Sequence, residues 1–183
     1  TYTIDNTTIT DKVTYNFIAA NCGNQPSIAR RAAYSNSFGS LVHCEWSILG
    51  GVTSAYNCIA WSVGENNIWY NKIGDPYDHY KSIDKEFGNN DDIFTNEDLD
   101  MFYLSKGYEL ITAGTFDEKL RQADVIYYSN YHAAKKSTCS CGAGKWLMYS
   151  SKIGDDELIE HIGTQITGSL YGNIVRFYKK MTP

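Results

Sequence analysis

The chain has 183 residues, 43% of them hydrophobic and 20% charged, with a net charge of −5. That length suits one domain with a core of its own and is short for two, and the composition is that of a folded chain. Lys and Arg are scattered in pairs such as Arg30-Arg31, Lys135-Lys136 and Lys179-Lys180, so no basic stripe is offered to nucleic acid, and no apolar run approaches the ~18 residues of a membrane helix.

No signal-peptide pattern is visible, and an opening at Thr1 without a methionine fits a processed product or an excised domain. Residues 1–26 are polar and irregular, with one strand-like run from Val13 to Ile18. Ser27 to Tyr34, "SIARRAAY", reads as a helix capped by Ser27. The apolar run "GSLVHCEWSILGG" follows and ends at Gly50-Gly51. A short helix from about Asn57 to Val63 comes next, stopped by Gly64.

Residues 65–92 are rich in Asn, Asp, Gly and Tyr and read as a long loop. Thr95-Asn96-Glu97-Asp98 is a capping box with Asp in place of Glu. It opens a helix that carries Leu99, Phe102 and Tyr103 on one face and closes at Gly107. The period then changes from helix to strand. Tyr108 to Thr112, Ala123 to Tyr131, Lys145 to Ser151 and Gly172 to Tyr178 read as strands, and Asp155 to Ile162 as a short acidic-capped helix. Helices first and a mostly antiparallel sheet afterwards make an α+β domain.

Five cysteines are present: Cys22, Cys44, Cys58, Cys139 and Cys141. The odd count leaves at least one outside any internal disulfide. Cys139-Ser-Cys141 has no second ligand pair at zinc-like spacing, so no metal site is expected. Cys58 lies at the start of a helix, where exposed N–H groups and the dipole favour thiolate. It reads as a nucleophile, a buried thiol or a disulfide half.

Of the four histidines, His43 reads as a core residue, His79 as a solvated loop residue and His161 as a packing or capping residue on the short helix. His132 closes the strand "ADVIYYSNYH" and is followed by two alanines, which leave room for another group beside the ring. A histidine at a strand end facing a helix N-terminus is the spatial logic of a Cys–His pair.

Tyr56-Asn57-Cys58, then Tyr131 to Ala134 ("YHAA"), then Trp146 to Gly154 ("WLMYSSKIG") resemble, in order and element type, the papain-like cysteine hydrolases of the NlpC and CHAP amidase type. A closer likeness, over roughly residues 54–178, is to a poorly characterised bacterial group with five short segments. Here these are Asn57 to Ser62, His132 to Ala134, Ser151 to Gly154, Ile159 to His161 and Tyr171 to Arg176. Residues 1–50 lie outside it, as an N-terminal extension of a single papain-like domain.

The resemblance implies that Cys58 attacks an amide carbonyl of a peptide or peptidoglycan stem, with His132 as general base and then general acid. Ser151 is the third member, with His161 as second candidate, because the family's usual carboxylate or amide is missing. The backbone N–H of Cys58 and the Tyr56 hydroxyl serve the oxyanion. Tyr56, Asn57, Trp61 and Trp69 are the expected substrate contacts, with Tyr70, Tyr77 and Tyr80 along the same groove. The expected partner is a peptide or protein, as for a secreted or delivered bacterial effector, with no cofactor. The same Cys–His apparatus runs transglutamination and deamidation of a protein target. The competing class is a non-catalytic papain-like binding domain in which Cys58 is a packed core thiol.

Overall fold

A computed structural model describes residues 27–39, 41, 46–73, 80–137 and 147–182. The expected run from Val13 to Ile18, His43, Tyr77, His79, Trp146 and every cysteine but Cys58 lie outside the described residues.

Helix α1 (Ile28–Ser37) begins where Ser27 accepts a hydrogen bond from the Arg30 N–H. Strand β1 (Ser47–Gly50) follows, then α2 (Cys58–Ser62). The stretch expected to be loop holds two short strands, β2 (Trp69–Asn71) and β3 (Tyr80–Ser82), paired in parallel as a separate ribbon, and helix α3 (Ile83–Phe87). The polar composition hid them: these elements are three to five residues long and are held by tertiary contacts rather than by propensity.

Helix α4 (Asn96–Ser105) opens on the expected capping box, with both reciprocal bonds between Thr95 and Asp98 formed. Strand β4 (Tyr108–Leu110) precedes a helix absent from the sequence reading, α5 (Phe116–Gln122), which has its own box between Thr115 and Glu118. The remaining strands are β5 (Val125–Tyr128), β6 (His132–Lys136), β7 (Met148–Lys152), β8 (Leu158–Ile162) and β9 (Ile174–Lys180).

Two expectations change here. Residues 158–162 form a strand, not a helix, because β8 lies between β7 and β1 and Leu158 to His161 are all buried. A strand covered on both faces loses its polar alternation and imitates a helical face. His132 opens β6 instead of closing the preceding strand. Chain reversal at 129–131 uses no glycine; Tyr131 itself takes a left-handed backbone, with φ 58°.

The seven strands run in the order β1-β8-β7-β6-β5-β9-β4, with every described pairing antiparallel. The sheet divides the core in two. On one face Tyr34 and Phe38, at α1 and its C-terminal cap, Trp46 and Leu120 pack on Ile126, Tyr128, Ala134 and Tyr149. On the other, Ile59 and Ala60 of α2 and Leu99, Phe102 and Tyr103 of α4 pack on Val125, Tyr127, Ala133 and Tyr178. Each buried leucine or phenylalanine contributes about 1.5–3 kcal/mol. The chain is an α+β protein. Among the described residues, no helix is long and apolar enough to cross a membrane.

Candidate functional site

Cys58 is the first residue of α2, and its neighbour Asn57 fixes that start. The Asn57 side-chain oxygen accepts from the Ala60 N–H at 3.1 Å and from the Tyr70 N–H at 3.3 Å. Its amide donates to the Tyr70 carbonyl at 2.5 Å. Asn57 is thus buried and committed to capping α2 and tying it to β2, not open to substrate as expected.

The Cys58 sulfur points to the start of β6. The thiol lies 3.9 Å from the Tyr131 carbonyl oxygen, and the backbone N–H of Ala133 is directed at the sulfur together with those of Cys58 and Ile59. The Tyr131 carbonyl and the Ala133 N–H flank His132 on its two sides in the chain. Burial nevertheless dominates and pushes the thiol up to about 11, against the pull of those N–H groups and of the Lys152 charge.

The imidazole of His132 turns to the opposite face of the sheet from Ala133. It stacks on Tyr171, with ring centres 3.7 Å apart and planes 10° from parallel, and it meets Tyr128 at 5.3 Å. Its Nε2 is buried and has no hydrogen-bond partner. The expected thiol–imidazole bond is therefore not formed. Burial, and then the neighbouring His161, hold His132 well below the ordinary imidazole range.

Both candidates for the third role lie on the His132 face but bond to each other. Ser151 Oγ and His161 Nε2 are 2.8 Å apart, and His161 Nδ1 is 2.9 Å from the Ile162 carbonyl. A carbonyl only accepts, so Nδ1 carries the proton and Nε2 accepts from the serine hydroxyl. Burial pushes His161 down to about 4.

The other expected contacts divide. The Trp61 indole N–H donates to Ser150 Oγ at 3.1 Å, and Lys135 lies 4.3 Å from its ring centre. Tyr56 packs against Trp61 at 6.0 Å, and burial raises its hydroxyl. Trp69 pairs with Tyr80 across the ribbon at 5.5 Å.

Two residues that the sequence reading gave no role also shape the site. Lys152 is fully buried, donates to the carbonyls of Gly154 and Asp156, and lies 5.7 Å from the Tyr56 ring centre. Tyr171 is held over His132 by the bond from the Asn130 N–H to its carbonyl at 3.0 Å. The adjoining Gly172 has φ +73°, and a Cβ there would collide with Ser129 Oγ. Both residues stood inside segments that carried the resemblance, which was their only signal. No group of three His, Cys, Asp or Glu arranged for a metal occurs among the described residues.

The family whose model matches residues 47–179 is described as "Domain of unknown function (DUF7689)". The chain belongs to that family. The match begins at β1, leaves α1 outside and takes in Cys58, His132, Ser151 and His161. No curated protein and no solved structure matches the chain.

Proposed function

We propose that the chain is a cysteine hydrolase of papain-like fold that cleaves an amide bond of a peptide or peptidoglycan stem, with Cys58 as nucleophile and His132 as base. The observation that carries this reading is the docking of the Cys58 sulfur, at a helix start, against the peptide groups on either side of His132, whose Nε2 has no partner. A helix with its leading cysteine packed on an antiparallel sheet supports the finer fold assignment.

The described state is a resting one. With the thiol raised and the imidazole depressed, both are neutral at pH 7. Catalysis then runs by general base rather than from a preformed ion pair. The turn at Tyr131 opens so that the backbone brings His132 to the Cys58 face of the sheet, where the imidazole takes the thiol proton as the sulfur bonds to the carbonyl carbon. The oxyanion is met by backbone N–H groups at the head of α2. The imidazolium gives its proton to the leaving amine as the C–N bond breaks. Water, deprotonated by His132, then hydrolyses the thioester.

One observation favours the non-catalytic reading: Cys58 is 6% exposed, His132 is 1% exposed, and no bond joins them. A peptidyl chloromethyl ketone separates the two. The hydrolase labels at Cys58 in the native state, and His132→Ala slows labelling at least tenfold. Labelling at Cys58 only after unfolding sinks the hydrolase.

A further inference from the structure

Outside the cysteine region, one buried carboxylate oxygen among the described residues is left without a partner. Asp84, in the first turn of α3, is fully buried. Its Oδ2 accepts from the Asp92 N–H at 3.0 Å, so the carboxylate faces the loop between α3 and α4. Its Oδ1 has no hydrogen-bond partner. A buried carboxylate needs a cation or a full set of donors. The lysines beside it are engaged elsewhere: Lys85 pairs with Asp92 at 3.2 Å and Lys81 with Glu86 at 3.2 Å.

The loop that meets this carboxylate through the Asp92 N–H is rich in oxygen-bearing side chains. It reads Gly88-Asn89-Asn90-Asp91-Asp92, and it is closed by Asp98 of α4, which is also buried. Gly88 keeps the space small, since a Cβ there would collide with both the Asp98 carboxylate and the Asp84 main-chain carbonyl. Oxygens from α3 and α4 therefore crowd one point of the loop.

We propose that this loop binds a hard divalent cation, calcium, with Oδ1 of Asp84 as anchoring ligand. No three His, Cys, Asp or Glu are grouped for a metal among the described residues. In this proposal main-chain carbonyls, asparagine oxygens and water complete the set around Asp84. Calcium takes that set and zinc does not. The cation neutralises Asp84 and fixes α3 against α4, whose Phe102 and Tyr103 pack in the same core as Ile59 of α2. The proposal is independent of the hydrolase reading.

The test uses the whole chain after EDTA treatment, titrated with calcium chloride and read by equilibrium dialysis and thermal unfolding. Parallel arms use magnesium chloride and zinc chloride. One calcium per chain is expected, with Tm raised by roughly 5 to 10 °C at about a hundred times the dissociation constant. Asp84→Asn loses the response, and without calcium it melts no lower than the parent. Lys85→Ala keeps the response. Absence of calcium binding at ~1 mM, the weakest protein class, overturns the proposal. So does equal binding by Asp84→Asn, or a response to zinc alone. Should Asp84→Asn not fold, the stoichiometry of the parent chain decides: one calcium supports the site and none removes it.

Discussion

The Cys58 thiol offers the sharpest measurement. A rise from 9.0 to about 11 lowers the thiolate fraction near neutral pH about a hundredfold. Alkylation by iodoacetamide goes through the thiolate, so native Cys58 should label about a hundred times more slowly than the same residue in denaturant. The rate should climb about tenfold per pH unit between 8 and 10, with no plateau below 10. Mass spectrometry after digestion isolates Cys58 from the other four cysteines. Stability carries the same sign. The unfolded thiol ionises from pH 9 and the folded one only near 11, so folding is favoured below pH 9 and loses up to about 3 kcal/mol as pH rises through 11. Cys58→Ser should flatten that part of the pH–stability curve. A labelling plateau below pH 8, or native and denatured rates that agree at pH 7.5, would show that a thiolate is already formed and that burial does not govern the site.

Four further outcomes follow from the geometry. In acid, the unfolded His161 protonates near 6.5 and the folded one near 4, so stability present above pH 6.5 falls by about 3 kcal/mol on the way to pH 4; denaturant titrations across that range should show a loss that His161→Gln reduces. Ser151→Ala leaves His161 Nε2 without its donor and should cost about 1–3 kcal/mol in urea unfolding, with an unchanged m-value. Asn57→Ala removes the cap of α2 and its tie to Tyr70; a loss of about 1–3 kcal/mol is expected, with faster alkylation of Cys58 as the helix start frays. Gly163→Ala places a methyl group 2.9 Å from Ile126 Cδ1 and 3.0 Å from Tyr149 Cδ2, and should lower stability by about 1–3 kcal/mol by thermal melt.

What the sequence determined by itself was the local chemistry of the chain. Ser27 and Thr95 carry helix starts in their own side chains, and Gly64 and Gly107 follow the ends of α2 and α4 with left-handed backbones (φ +87° and +83°). The cysteine at the head of a helix and the α+β class were legible for the same reason: each depends on neighbours within a few residues. Long-range pairing decided the rest. Leu158 to Ile162 became a strand because β7 and β1 flank it, and its burial on both faces erased the alternation that marks a strand. His132 moved from the end of one strand to the start of the next because Tyr131 adopts the left-handed turn position that glycine usually signals. The face of its ring was then fixed by strand alternation and by Tyr171, 39 residues away in the chain. Which side of a sheet a side chain occupies changes with a one-residue shift, and no short motif records that shift.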